Sequence, residues 1–164
     1  MTTKKRILFV CLGNICRSPA AEGVLQHLAE QLGVQDELEV DSAGTSSYHI
    51  GEPADKRMRT AAAKRGIELT SRSRMASSRD FAAFDLIVAM DKSNLRELHG
   101  LANGGEGKLR LLSDYLDDSW PEEVPDPYYG GDEGFDEVLD MLVAAGPKLL
   151  AELQNLPGAT PNAS

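Results

Sequence analysis

Four short apolar runs, each closed by polar or glycine-containing residues, are spread along the chain: Ile7 to Val10, Leu38 to Val40, Leu86 to Met90 and Leu109 to Leu112. The unbroken run Ile7 to Val10 is expected of a strand buried on both faces of a parallel sheet, and the other three segments read as further strands. Between them the apolar residues recur at helical spacing. Ser18 and Pro19 read as helix cap and first helical position, and Ala20, Ala21, Val24, Leu25, Leu28 and Leu32 follow until Gly33. Met58, Ala61 and Ala62 mark a second helix beyond Pro53, residues 93–99 a third, and Phe135, Val138, Leu139 and Leu142 begin a long final stripe that resumes at Leu149, Leu150 and Leu153. Pro147 interrupts that stripe, and an interior proline costs about 3 kcal/mol, so a kink or break is predicted there. The alternation predicts an α/β fold: one domain over residues 1–156, an open four-stranded parallel sheet with helices on both faces, then a disordered tail over 157–164. In such sheets ligands bind beyond the carboxyl ends of the strands, where this order of elements delivers Cys11, Asp41-Ser42 and Asp91.

Composition narrows the function classes. A net charge of −9 argues against a nucleic-acid partner, which needs clustered Lys and Arg. The basic N-terminus leads into four apolar residues before Cys11, too few for a signal peptide, and no run is long enough to span a bilayer, so a cytoplasmic protein with no membrane partner is expected. Two cysteines, Cys11 and Cys16, make no disulfide framework and lack the spacing of a zinc site or a thioredoxin motif. His27, His49 and His99 are scattered and read as ordinary surface or satisfied histidines. No metal and no cofactor is expected.

The candidate chemistry lies between the first strand and the first helix, where residues 11–18 read Cys-Leu-Gly-Asn-Ile-Cys-Arg-Ser. A thiol and a guanidinium sit six positions apart across a loop that opens a helix. Successive backbone N–H groups of such a loop, from Leu12 through Cys16, can face three oxygens of a tetrahedral anion. The helix N-terminus adds partial positive charge, and Arg17 supplies a planar two-pronged donor. Gly13 and Asn14 are residue types that tolerate the left-handed backbone such a cradle needs. The same field favours a thiolate at Cys11, able to attack phosphorus, while Ser18 can hydrogen-bond the sulfur as it leaves in a second step. The bland alternative is a buried strand-end cysteine beside a solvated arginine.

Expulsion of an alkoxide or phenoxide requires a proton donor, and Val-Pro-Asp-Pro-Tyr-Tyr-Gly-Gly at residues 124–131 offers Asp126 on a loop stiffened by two prolines. An aspartate chosen for turn formation between prolines is the competing reading. Tyr48, Tyr128 and Tyr129 can wall an aromatic ring together with Ile15; a protein-interaction face formed by the tyrosines, with weak self-association of a monomer, is the lesser and compatible alternative.

The segment ILFVCLGNICRSPAAE resembles the signature of the low-molecular-weight protein tyrosine phosphatases, and the likeness continues through DSAGTSSYHIG, FDLIVAMDKSN and DPYYGG. A CX5R loop alone occurs in several unrelated phosphatase folds, whereas these companion segments in this order are specific. The resemblance implies phosphotyrosine-containing proteins as substrates and a cysteinyl-phosphate intermediate. Cys11 is then nucleophile, Arg17 phosphate ligand, and Asp126 general acid and afterwards base. Asn14 would brace the loop with support from Ser42, Ser18 would assist thiolate formation and turnover, and Asp91 would orient Arg17 through an ion pair. A plain helix cap is almost as good a reading of Asp91. Cys16 is either a packing residue or, by resemblance, the partner of Cys11 in a reversible protective disulfide. A histidine found in the asparagine-bracing network of many animal relatives has no counterpart in Thr70-Ser71-Arg72-Ser73-Arg74, where a hydroxyl can partly substitute.

Three rivals share the loop. A thioredoxin-coupled arsenate reductase needs further cysteines that this chain lacks. Phosphoarginine phosphatases of this type tend to carry threonine at the Ile15 position and to lack the paired tyrosines. A phosphocysteine carrier must preserve its phosphate, which an acid loop beside Arg17 would discharge.

Overall fold

The computed structural model describes residues 4–128 and 130–157. Four strands, β1 (Lys5–Cys11), β2 (Leu38–Gly44), β3 (Leu86–Ala89) and β4 (Leu109–Leu111), form one parallel sheet in the order β2-β1-β3-β4. The chain passes from β1 to β2 on one side and then to β3 on the other. The strand order therefore reverses at the end of β1, where open α/β sheets place their ligands. Register carries Cys11 opposite Gly44 and Val10 opposite Ala89.

Because side chains alternate across a strand, the central strands feed two cores. Ile7 and Phe9 of β1 with Leu86 and Val88 of β3 pack under α1 (Arg17–Gln31), α2 (Lys56–Ala63) and α5 (Glu133–Asn155). Leu8, Val10, Ile87 and Ala89 pack on the opposite face with Phe81 of α3 (Asp80–Ala83) and Leu98 of α4 (Lys92–Leu101). The expected doubly covered parallel sheet is what forms.

Two local expectations differ. Helix α1 starts at Arg17 with Cys16 in the cap position and no side-chain cap bond, so Ser18 and Pro19 lie inside the first turn. Pro19 is tolerated there because first-turn N–H groups have no intrahelical partner, and the Ser18 hydroxyl faces the phosphate-type loop instead of capping. Of the kink or break expected at Pro147, the break does not occur: α5 is helical from Glu133 to Asn155. Pro147 and Val143, whose carbonyl loses its partner, are both on the exposed flank, where water can replace the bond. Beyond them Leu149, Leu150 and Leu153 are buried, at about 1.5–3 kcal/mol each, which outweighs a proline penalty of about 3 kcal/mol.

Candidate active site

The 11–18 loop is tied down from below and from both sides. Thr45 and Ser46, just past β2, donate their backbone N–H groups to the Cys11 and Leu12 carbonyls at 2.9 Å each, and Asp55 donates its N–H to the Ile15 carbonyl at 2.7 Å. Ser73 Oγ donates to the Gly13 carbonyl at 2.9 Å. Asn14 takes the left-handed conformation, φ 56°, with its side chain turned inward. Its Nδ2 donates to Ser18 Oγ at 2.7 Å and its Oδ1 accepts from the Arg74 N–H at 3.0 Å. Ser18 Oγ lies 3.1 Å from Cys11 Sγ and 3.3 Å from the Ala43 carbonyl. The bracing expected of Asn14 is thus carried by Ser18 and by the 73–74 segment, which stands where the family histidine is missing.

Several expectations change here. Gly13 is not left-handed; its missing Cβ instead admits the His49 ring, whose Cδ2 would lie 3.0 Å from one. Gly44 meets a similar demand, since a Cβ there would lie 2.8 Å from the Leu12 carbonyl oxygen. Ser42 does not brace Asn14: its hydroxyl donates to Glu22 Oε1 at 2.7 Å, because the side chain of this β2 residue projects toward α1. Burial raises the Glu22 carboxyl above the usual range, opposed by the Ser42 bond, reinforced by Asp41, and opposed again by Ser71 and Arg74.

Arg17, 2% exposed, is the charged centre of the site. Its Nη1 donates to Asp91 Oδ2 at 2.6 Å and to the Val124 carbonyl at 3.0 Å, and Nη2 stands 3.6 Å from Asp126 Oδ2. Burial works against this cation. The electrostatic pull of Cys11, the Asp91 hydrogen bond and the charge of Asp126 outweigh it and hold the guanidinium above its ordinary value. Asp91 fills both of its readings at once, because its Oδ1 also accepts the Asn94 N–H at 2.7 Å in the capping box of α4. With Nη1 engaged by protein, Nε and Nη2 make no hydrogen bond among the described residues, Nη2 facing Asp126, and Arg17 lines the cavity with that two-donor edge uncommitted to hydrogen bonds.

The walls complete a cavity of about 400 Å³ lined by Cys11, Leu12, Gly13, Ile15, Cys16 and Arg17 at its floor and by Ser46, Tyr48, His49, Asp126 and Tyr128 above. Asp126 is 37% exposed, and its Oδ1 accepts the Tyr128 N–H at 3.1 Å. Tyr48 stands at the rim, 82% exposed, in edge-to-face contact with His49 at 4.8 Å; His49 is 6.1 Å from the Tyr128 ring and bonds Glu52 through Nδ1 at 3.1 Å. Tyr129 lies outside the described residues, as does the tail beyond Pro157. Reading His49 as an ordinary histidine missed a wall residue; its place next to Tyr48 in the loop after β2 was the available signal. Burial, then Asp55, Cys11 and Asp126, push the Cys16 thiol far above an ordinary thiol, so it stays protonated beside the loop.

The arrangement gathers a thiol, a buried guanidinium and a carboxyl around one cavity where the first loop opens α1. Residues 6–156 match the family model of the low molecular weight phosphotyrosine protein phosphatases. A low molecular weight protein-tyrosine-phosphatase of Streptomyces coelicolor is 43% identical over 153 residues, covering 91% of this chain and 93% of the relative. Among solved structures, a protein tyrosine phosphatase of Entamoeba histolytica superposes with a TM-score of 0.88 at 43% identity, covering 92% and 97% of the two chains. A Drosophila arginine phosphatase superposes with a TM-score of 0.83 at 35% identity, covering 92% and 99%. On its loop, its sheet and these likenesses, the chain belongs to the low molecular weight phosphotyrosine protein phosphatase family.

Proposed function

We propose that this protein hydrolyses phosphotyrosine in proteins through a cysteinyl-phosphate. The observation that carries the reading is the placement of Cys11, the Arg17 guanidinium and the Asp126 carboxyl around one aromatic-walled cavity. The ester phosphate sits on the loop N–H groups and on Arg17. The Cys11 thiolate attacks phosphorus in line, the bond to the phenolic oxygen breaks, and Asp126 gives its proton to that oxygen. Water then attacks the cysteinyl-phosphate, Asp126 takes the water proton, and the phosphorus–sulfur bond breaks. Ser18, 3.1 Å from the sulfur, stabilises the returning thiolate. Arg17 stabilises charge on the equatorial oxygens in both steps. Asp91 and Val124 hold Arg17 flat for this, while Asn14 with Ser73 and Arg74 keeps the loop open.

Ile15, Tyr48 and Tyr128 offer a depth and an apolar lining suited to an aryl ester, with His49 beside Tyr48 in the same wall. A phosphotyrosine peptide should be hydrolysed with a kcat/KM more than about a hundredfold above that of matched phosphoserine and phosphoarginine peptides. Preference for phosphoarginine would overturn the substrate assignment and leave the cysteinyl-phosphate chemistry in place.

Cys16 shares the cavity floor with Cys11, which supports a reversible disulfide between them after oxidation. After a peroxide pulse, thiol treatment should restore most of the wild-type activity but little of that of Cys16→Ser. Equal recovery in both would end the idea.

The described residues contain no helix long and apolar enough to cross a membrane. We take residues 1–156 as the phosphatase unit working in the cytoplasm on phosphoproteins.

A further inference from the structure

Arg57 takes no part in the scheme above, yet it stands between the two loops that do. It lies in the first turn of α2, behind its cap residue Asp55. Asp55 is attached to the phosphate-binding loop through the bond from its N–H to the Ile15 carbonyl, 2.7 Å. The Asp55 carboxylate accepts the Arg57 N–H at 2.8 Å and grips the guanidinium at both oxygens, 3.2 Å each from Nε and Nη2. From that grip Nη2 donates to the Tyr128 carbonyl at 3.0 Å. The guanidinium carbon also lies 4.7 Å from the Phe135 ring centroid and 5.5 Å from that of Tyr128. Tyr128 in turn gives its N–H to Asp126 Oδ1. A continuous polar path therefore leads from the loop that holds phosphate to the carboxyl that faces the leaving oxygen.

The 125–127 segment is pinned upstream as well. The Val124 N–H donates to the Met90 carbonyl at 3.0 Å, and the Val124 carbonyl accepts from Arg17. Arg57 supplies a link on the downstream side, and its planar fork serves Asp55 and Tyr128 together, which a lysine ammonium on a flexible stem does not reproduce. We propose that Arg57 is a positioning residue for the general acid, setting the distance of Asp126 from the phosphate-binding loop through Asp55 and Tyr128. The inference rests on the acid role of Asp126 and adds what holds that acid in register.

A proton donor displaced by about 1 Å loses up to about a hundredfold in rate. That loss falls on substrates whose leaving group needs the proton. The test measures kcat/KM of wild type, Arg57→Met and Arg57→Lys with phenyl phosphate and with 2,4-dinitrophenyl phosphate, each also in an Asp126→Ala background. Arg57→Met should lose about ten- to a hundredfold with phenyl phosphate and less than about threefold with the dinitrophenyl ester. Arg57→Lys should fall between, and neither change should cost much once Asp126 is alanine. Inhibition by inorganic phosphate should be unaltered. Equal losses with both esters, or a full additional loss in the Asp126→Ala background, would overturn the positioning role. Arg57→Lys keeps the charge and most of the stem, so it decides the question where Arg57→Met unfolds. Failure of the acid reading itself is separable: it would appear in Asp126→Ala alone, as a loss independent of the leaving group.

Discussion

Replacing Cys11 with serine lowers kcat for an aryl phosphate by about five to six orders of magnitude, about 7 kcal/mol in the barrier, while inorganic phosphate still binds. The size follows from what is removed and what is left. An alkoxide is far harder to form than a thiolate, and the Asn14–Ser18 network that faces the sulfur at 3.1 Å is built to stabilise sulfur charge. The proposed anion cradle, by contrast, is the loop backbone and Arg17, neither of which the substitution touches. Phosphate affinity is therefore retained, and loss of the thiolate's own negative charge removes a repulsion. Steady-state kinetics together with titration of phosphate binding measure both quantities. Retention of full activity by Cys11→Ser would eliminate the cysteinyl-phosphate.

Asp126→Ala is the second large loss, about 10²–10⁴-fold in kcat/KM for a phosphotyrosine peptide, the usual contribution of a positioned general acid. Its diagnostic feature is its slope. A dinitrophenolate leaves without a proton, so the loss with that ester should be small, whereas phenol and tyrosine carry the full effect. While Oδ1 of Asp126 accepts the Tyr128 N–H, Oδ2 stands 3.6 Å from Arg17 Nη2, close enough to face an ester seated on that guanidinium and beyond hydrogen-bond distance of it. An equal loss across leaving groups would move Asp126 from proton donor to loop-folding residue, the turn role its flanking prolines also suit.

The elements that carry these two effects were legible at different depths. The first strand, the loop and the first helix are local: an unbroken apolar run, a loop with asparagine in the left-handed position, then a helical stripe. Their readings agree with the structure to within a residue or two, the shift of the cap from Ser18 to Cys16 being the largest difference. Asp91 was readable as a cap or as an ion pair; two oxygens let it be both. His49 was legible only as a neighbour of Tyr48 in the loop after β2; that Gly13 makes room for its ring is a contact between distant loops. Ser42 was assigned the wrong partner for a related reason: strand alternation determines which way a hydroxyl projects, but the acceptor it meets, Glu22, is delivered by a helix.

Hydrophobic periodicity and loop chemistry by themselves determined the alternation of strands and helices, the parallel sheet, and the seating of Cys11 and Arg17 around an anion cradle, since each depends on residues within about one turn or one strand of each other. Only the tertiary structure decided what surrounds that cradle. Arg17 finds a second partner, the Val124 carbonyl, 107 positions away. Pro147 stays helical because leucines beyond it are buried in a shared core. Arg57 reaches Tyr128 across 71 positions. Such pairings are set by the strand order and by the faces on which the helices pack. The energy that holds them comes from burial summed over the whole sheet, so no local window of sequence contains it.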